Sequence, residues 1–202
     1  QLTYHGGSGN DIVLTAVIPP PEITSGATAT GTVGTPFSYA ITATNSPTSF
    51  SASGLPGGLL VDSATGIISG TPTEAGTFVV TISDANSTAT ATAPLSLAIA
   101  KGVATVELQT ASQTPLTVSY DGTTKAVTAT TTPSGRTVVL TYTRNGVPMD
   151  PIYPGTYLVT ATVDDPNYAG TKTDTLVITV SVLVRHAPTL TSIVDGSIQL
   201  LS

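Results

Sequence analysis

Acidic and amide side chains recur between the last two strand patterns of each half of the chain. Asp84 and Asn86 stand there in the first half, and Asp164, Asp165 and Asn167 in the second. Because carboxylate and amide oxygens suit Ca²⁺, these residues are candidate calcium ligands. The alternative is Asx turns, in which such side chains accept hydrogen bonds from nearby backbone amides. Ca²⁺ needs about six to eight oxygens, and no acidic cluster lies between the halves, so the sequence favours turns.

A glycine-rich stretch at residues 6–13 adds Asp11 as a further calcium candidate. The stretch fits the nonapeptide of β-rolls, in which stacked turns share each ion. One copy cannot build such a stack, so a glycine-rich turn before a strand is the favoured interpretation. We therefore expect no cofactor, with calcium as the open alternative.

The histidine and glutamate residues do not form the sets of side chains that catalysis needs. The two histidines, His5 and His186, lie in terminal segments, so no base stands near a nucleophile in either half. Glu22, Glu74 and Glu107 are isolated, whereas glycoside hydrolysis needs a pair of carboxylates in a cleft. We expect no catalytic residue and no enzyme.

Two loop tyrosines, Tyr153 and Tyr168, are the candidates for contact with a glycan or a protein. The alternative is that both rings cover the end of a sandwich. A third tyrosine, Tyr157, stands at a Gly-x-Tyr and predicts a tyrosine corner, in which the hydroxyl bonds to the backbone a few residues upstream.

Composition excludes several classes of partner. The net charge is −6, so no basic stripe is available to bind nucleic acid. The apolar stretch 176–184 is interrupted by polar residues and is far shorter than the roughly 20 residues of a membrane span, so we expect no membrane insertion. The chain has no Cys, which leaves no disulfide and no thiol chemistry.

A repeat organises the chain. AGTFVVT at 75–81 is echoed by PGTYLVT at 154–160, and the same ungapped offset aligns Leu97 with Leu176. Apolar residues alternate with Thr and Ser along these stretches, which is the period of a half-buried strand. Fifteen Pro interrupt any helical period. We predict an all-β chain in which each repeat supplies the last two strands of a sandwich.

Turn residues bound the other strands. Asp62 and Gly66 predict a turn between strands at 59–61 and 67–69, with the Asp62 carboxylate accepting bonds from the amides of its own turn. Asp121-Gly122 and Asn145-Gly146 each predict a two-residue hairpin.

A length of 202 residues suits two sandwiches better than one, so we predict two tandem immunoglobulin-like β-sandwiches with short flanking β segments. The chain begins without Met and ends within a pattern, so we expect it to be a piece of a longer protein. The predicted boundaries are 1–21 for the end of an upstream β module or linker, 22–100 and 101–182 for the two sandwiches, and 183–202 for the start of a truncated β module.

Residues 22–100 resemble the putative Ig domain of bacterial surface proteins and haemagglutinins, a relative of cadherin-like modules. The resemblance lies in VGTPFSY at 33–39, GLPGGL at 54–59, DSATGIISGTP at 62–72 and AGTF at 75–78. It covers the whole of the first predicted sandwich.

Residues 101–181 resemble another bacterial Ig-like repeat, the MBG or YDG type of large adhesins. The matching motifs are YDG at 120–122, GTY at 155–157 and DPNYAG at 165–170. Pro154 departs from the small residue usual before Gly-Thr-Tyr. Residues 4–15 are similar to the closing strand of passenger-associated repeats in autotransporter-like proteins.

These resemblances imply a non-catalytic structural module of a bacterial secreted or cell-surface protein, acting as a stalk or spacer in an adhesin-like protein. The alternatives are an adhesion domain that binds a host or environmental glycan or protein, and an accessory domain of a secreted enzyme. Neighbouring domains of the same chain are the other partners that the resemblances imply.

Overall fold

A computed structural model describes residues 18–110 and 116–180, together with the backbone of two short strands near the C-terminal end. Asp11, His5 and His186 lie outside the described residues, as does the whole of the segment similar to autotransporter repeats. All the regular secondary structure in the described part of the chain is β-strand, so the all-β fold class is confirmed. In that part of the chain, no helix has the length and apolar character needed to cross a membrane.

Seven strands precede residue 101. They are β1 (Thr28–Thr32), β2 (Phe37–Ala40), β3 (Ser49–Ser53), β4 (Leu59–Val61), β5 (Ile67–Gly70), β6 (Gly76–Ala85) and β7 (Thr90–Ala100). One sheet has the order β1-β7-β6-β3 and the other has the order β2-β5-β4. All pairs in these two sheets are antiparallel except β1 and β7, which are parallel.

Eleven further strands follow. They are β8 (Gly102–Val103), β9 (Thr105–Thr110), β10 (Thr117–Ser119), β11 (Val127–Thr132), β12 (Val138–Arg144), β13 (Val147–Pro148), β14 (Gly155–Val163), β15 (Tyr168–Ala169), β16 (Thr171–Thr179), β17 (Ile193–Val194) and β18 (Ser197–Ile198). The larger sheet has the order β10-β16-β14-β12-β13, and three two-stranded sheets pair β11 with β9, β15 with β8 and β17 with β18.

The hydrophobic core follows the predicted alternation. Every second residue is buried from Val80 to Asp84 in β6 and from Leu95 to Ile99 in β7, and most of the positions between them are Thr, Ser or Ala. The buried residues of the first core come from strands of both sheets and from two loops: Val33, Ile41, Leu59, Ile68, Val80, Ile82, Leu95, Leu97 and Ile99. Burying such side chains is worth roughly 1.5–3 kcal/mol each and holds the two sheets together.

The turn predicted at residues 62–66 is confirmed. Oδ1 of Asp62 accepts hydrogen bonds from the amides of Ala64 and Thr65, at 2.8 and 3.1 Å. Gly66 has a φ of 74°, and a Cβ there would lie 2.9 Å from the carbonyl oxygen of Ile41, so both its conformation and its surroundings require glycine.

The repeat is visible in the backbone. β6 begins at Gly76 and β14 begins at Gly155, two positions related by the same offset as the sequence repeat. Both glycines have positive φ values, 153° and 145°. The strand that follows each one buries alternate residues, which include Val80 in β6 and Val159 in β14.

One of the two predicted hairpins is confirmed and the other is wrong. Asn145 and Gly146 have positive φ and join β12 to β13, which are antiparallel neighbours. Asp121-Gly122 does not form a hairpin, because β10 pairs with β16 and β11 pairs with β9 in a separate sheet. The carboxylate of Asp121 instead pairs with Lys125 and accepts hydrogen bonds from Thr123, which stabilises a longer loop.

The chain packs into two compact units. Among the described residues, the first contains residues 18–106, Thr130–Val139 and Thr162–Thr171. The second contains residues 107–110 and 116–129, Leu140–Ala161 and residues 172–180. The packing units are therefore assembled from segments that alternate along the sequence.

The tyrosine corner predicted at Tyr157 is present. Its ring is fully buried, and its hydroxyl donates a hydrogen bond to the backbone oxygen of Tyr153 at 2.9 Å.

Tyr157→Phe tests this corner. The substitution removes the hydroxyl and leaves the backbone oxygen of Tyr153 without this donor, so the free energy of unfolding should fall by about 1 kcal/mol in chemical denaturation. Tyr120→Phe is the control, because the Tyr120 side chain is 40% exposed and its loss should change nothing. Equal effects of the two substitutions would contradict a role for the corner.

Candidate functional site

The carboxylate of Asp165 organises the loop that follows β14. Its Oδ1 atom accepts hydrogen bonds from the amides of Asn167 and Tyr168, at 2.8 and 2.9 Å, which is the geometry of an Asx turn. Its Oδ2 atom pairs with Nη1 of Arg136 at 3.2 Å. The backbone hydrogen bond from Asn167, with support from Arg136, lowers the pKa of Asp165. We call residues 165–168 the Asp165 turn.

Asn167 connects the Asp165 turn to residues that are distant in sequence. Its Oδ1 atom accepts a hydrogen bond from the amide of Ala75 at 2.8 Å, and its backbone oxygen accepts one from the amide of Gly102 at 2.9 Å. Nζ of Lys101 donates to the backbone oxygen of Asp165 at 2.8 Å. All these residues belong to the first compact unit. The side-chain oxygen of Asn167, a candidate cation ligand, is therefore engaged by the protein itself.

Tyr168 lies half-buried against the first hydrophobic core. The guanidinium carbon of Arg136 is 4.3 Å from the centroid of its ring, which is a cation–π contact. A Cβ at Gly102 would lie 2.9 Å from Cε1 of the ring, so the ring packs closely against the backbone at that glycine. The ring of Tyr168 is thus in contact with both Arg136 and the backbone at Gly102.

Three partners of the Asp165 turn were missed from the sequence. Arg136, Lys101 and the amide of Ala75 lie far from the DPNY motif along the chain, and no local pattern links them to it. The motif itself was the available signal, because Asp followed two residues later by Asn predicts a turn. The long-range contacts depend on how the strands bring the loops together.

Asp84 faces the interior of the first sandwich. It lies on the same side of β6 as Val80 and Ile82, opposite Phe50 of β3, and is 1% exposed. Neither carboxylate oxygen accepts a hydrogen bond from a side chain or amide in the described part of the chain. Removal from water raises the pKa of Asp84, because burial disfavours the charged form.

Asn86 holds the turn between β6 and β7. Its Oδ1 atom accepts hydrogen bonds from the amides of Thr88 and Ala89, and its Nδ2 atom donates to the backbone oxygens of Pro19 and Asn45. The side chain therefore connects this turn to the segment that precedes β1 and to the loop between β2 and β3. Its amide oxygen is engaged by the turn, as that of Asn167 is engaged by Ala75.

The calcium candidates do not converge on one point. Asp165 and Asn167 share a turn, while the side chain of Asp164 is exposed beside them. Within residues 18–110 and 116–180, no three His, Cys, Asp or Glu side chains lie close enough together to hold a metal ion. Both carboxylate oxygens of Asp84 are buried and accept no hydrogen bond within the described part of the chain.

Tyr153, the second ligand candidate, is well exposed. Its side chain is 60% exposed, although its backbone oxygen accepts the hydrogen bond of the tyrosine corner. Tyr153 belongs to the second compact unit, whereas Tyr168 belongs to the first. Of these two candidates, only Tyr153 exposes most of its side chain to solvent.

Comparison with protein families assigns both halves of the chain. Residues 20–100 match the family described as Putative Ig domain, and residues 104–181 match the family described as MBG domain. The chain carries both domain types. The two resemblances drawn from the sequence are thereby confirmed, and the Asp165 turn lies in the MBG domain, whereas Asp84 and Asn86 lie in the Ig domain. Domains of these types fit structural or adhesive modules of bacterial surface proteins.

A search of solved structures finds several that are similar to part of the chain. Two proteins of Bacteroides fragilis, described as putative alpha-galactosidases, are 33% and 35% identical over 40% and 44% of this chain, with TM-scores of 0.38 and 0.39. The N-terminal four Ig domains of Dscam1 isoform 9.44 are 11% identical over 84% of this chain and 48% of their own, with a TM-score of 0.47. The chain spans only 17% and 19% of the two bacterial proteins. No curated protein matches the chain significantly.

Asn167→Ala tests the contact between the Asp165 turn and Ala75. The amide of Ala75 would lose its acceptor, so the first compact unit should lose about 1–2 kcal/mol of stability, measured by chemical denaturation. Asp164→Ala is the matched control in the same loop, because its side chain is exposed. If both substitutions leave the denaturation midpoint unchanged, the hydrogen bond does not stabilise the unit.

Asp84→Asn tests the buried carboxyl. Because the pKa of Asp84 is raised in the folded state, its contribution to stability is fully present below the ordinary value of 3.8 and is lost as the pH rises through the folded value. The substitution should therefore stabilise the chain at neutral pH by on the order of 1 kcal/mol and have less effect in acid. Glu74→Gln, at an exposed carboxyl, should leave the pH dependence as it is. Calorimetry of both proteins across the pH range measures this difference in stability. If Asp84→Asn is less stable than the unaltered chain at neutral pH, the charged carboxylate of Asp84 is stabilised by its surroundings and the prediction is wrong.

Proposed function

We propose that this chain is a non-catalytic spacer region of a bacterial secreted or cell-surface protein, in which β-sandwich modules carry other domains away from the cell envelope. One observation carries the proposal. The polar side chains that could bind a ligand in the Asp165 turn are used to attach that turn to the rest of the first compact unit. These side chains therefore stabilise the fold.

The surface of the chain supports the same proposal. Charged residues form 9% of the sequence, and the outward positions of β6 and β7 are largely Thr, Ser and Ala. Such a surface offers no positive field to attract a nucleic acid or an anionic membrane. A weakly interacting surface suits a spacer, because it does not compete with the domains that the spacer presents.

The spacer proposal is tested by ligand-dependent melting. A ligand that binds the folded chain raises the melting temperature, and calcium or mucin glycans should leave it unchanged in calorimetry, with a chelator as the calcium-free reference. A reproducible rise with any of them would overturn the passive role. A rise with calcium that Asp84→Asn abolishes would place a cation at the buried carboxyl.

The exposure of Tyr153 favours one second candidate, an adhesive module that binds a glycan or a host protein through this ring. Under that candidate, Tyr153→Ala abolishes attachment of the chain to mucin-coated surfaces while stability is retained, because the corner hydrogen bond uses only the backbone oxygen. Tyr120→Ala is the control on another exposed tyrosine. Attachment that is absent in the unaltered chain, or equal in all three proteins, rejects the adhesive candidate.

A further inference from the structure

The DPNYAG motif of the MBG domain makes close contacts at several of its positions, all within the first compact unit. The carboxylate of Asp165 shapes the turn, and Oδ1 of Asn167 accepts the hydrogen bond from the amide of Ala75. At the end of the motif, a Cβ at Gly170 would lie 2.0 Å from the carbonyl oxygen of Ala104, so only glycine allows this approach. The motif therefore fits the particular segments that it contacts.

The Ig domain and the residues just after it supply the surface on which the Asp165 turn packs. The amide of Ala75 precedes Gly76, the first residue of β6, and donates to the side chain of Asn167 at 2.8 Å. The amide of Gly102 donates to the backbone oxygen of Asn167 at 2.9 Å. We call Val33, Ala75 and Gly102 the receiving end.

The receiving end has no room for a side chain at Gly102. A Cβ there would lie 2.7 Å from the carbonyl oxygen of Val33 and 2.9 Å from Cε1 of Tyr168. Because the carbonyl belongs to the backbone of the Ig domain, a larger residue must displace either that backbone or the tyrosine ring. The receiving end thus has two requirements, which are an amide hydrogen at residue 75 and glycine at residue 102.

The sequence repeat shows that the MBG domain meets neither requirement. The offset that relates the first residue of β6 to the first residue of β14 also relates Ala75 to Pro154 and Gly102 to Ser181. Both strands begin at glycines with similar φ values, 153° and 145°, so the two positions are comparable in the backbone. Proline has no amide hydrogen to donate, and serine carries a Cβ.

We propose that the Asp165 turn and the receiving end form a directional joint between modules. An MBG domain with this motif docks on a preceding module that has an amide hydrogen before its strand-opening glycine and a glycine after its last strand. The MBG domain of this chain has proline and serine at these positions, so it does not receive the same turn from a second MBG domain. The inference goes beyond the spacer function, because the joint needs neither a passive surface nor a ligand.

Ala75→Pro gives the receiving end the residue that the MBG domain has at the same point. The substitution removes the amide hydrogen, and Pro154 shows that the chain accommodates proline before a glycine that opens such a strand. The midpoint of chemical denaturation of the full chain should therefore fall. Ala75→Ser is the matched control, because it keeps the amide and a small side chain, and its midpoint should stay close to that of the unaltered chain.

A double-mutant cycle attributes the fall to the joint. Asn167→Ala removes the acceptor of the same hydrogen bond, so it should lower the midpoint in the unaltered chain and much less in the Ala75→Pro background. An equal fall in the two backgrounds would overturn the joint. So would an Asn167→Ala variant that is as stable as the unaltered chain.

Amide hydrogen exchange tests the joint without a proline substitution. Asn167→Ala should accelerate exchange at the amide of Ala75 by about tenfold more than inside the β6–β7 ladder, because only the first amide loses its acceptor. Asp164→Ala, in the same loop, should leave the exchange at Ala75 unchanged. Exchange at Ala75 that is as slow in Asn167→Ala as in the unaltered chain contradicts the proposal.

Gly102→Ser tests the direction of the joint, because it places on the receiving end the residue that follows the last strand of the MBG domain. The added side chain should displace the ring of Tyr168, lower the denaturation midpoint and accelerate exchange at Ala75. Gly26→Ser is the control, since the nearest atom to a Cβ there is 3.9 Å away, and it should change neither quantity. If Gly102→Ser keeps the amide of Ala75 protected, serine is compatible with docking and the proposed direction is wrong.

Discussion

Ten residue pairs join β6 to β7 in an antiparallel ladder, and the rest of the Ig domain packs against or pairs with these two strands. Val80, Ile82, Leu95 and Leu97 are each no more than 1% exposed. β1 pairs with the outer edge of β7, β3 pairs with the outer edge of β6, and the second sheet packs on the buried face. Side chains that alternate every second position make this possible, because a shift of one residue would turn the apolar set toward water.

Asp84 is the exception on this buried face. It continues the inward positions of β6, and its burial raises the pKa of its carboxyl. Asn86 lies two residues further along the chain, and its side chain forms hydrogen bonds with the turn and with the segment before β1. Two polar residues of one short stretch thus differ, since Asn86 forms hydrogen bonds at the end of the domain and the carboxylate of Asp84 is buried without a hydrogen-bond donor.

The Asp165 turn shows how a loop of the MBG domain becomes part of the first compact unit. Local bonds from Asn167 and Tyr168 to Asp165 give the turn its shape, and the side chains of Asn167 and Tyr168 then reach the amide of Ala75 and the apolar core. The family boundaries and the packing units consequently differ, because Thr162–Thr171 belongs to the MBG domain by sequence and to the first unit by contact. Hydrogen bonds in this region join segments that a sequence comparison assigns to different domains, as Asn167 and Ala75 show.

The sequence alone determined the all-β class, the repeat, the two domain types, the turn at Asp62 and the corner at Tyr157. These features depend on period, on glycine conformation and on bonds between residues close in the chain, which a sequence displays directly. Tertiary structure alone decided that Asp121 begins a loop between two sheets and not a hairpin, since strand pairing is a long-range choice. It also decided that Arg136 and Lys101 attach the Asp165 turn, that Tyr168 is half-buried while Tyr153 is exposed, and that β1 and β7 are parallel. Each of these depends on which strands become neighbours, and that is set by the packing of both sheets together.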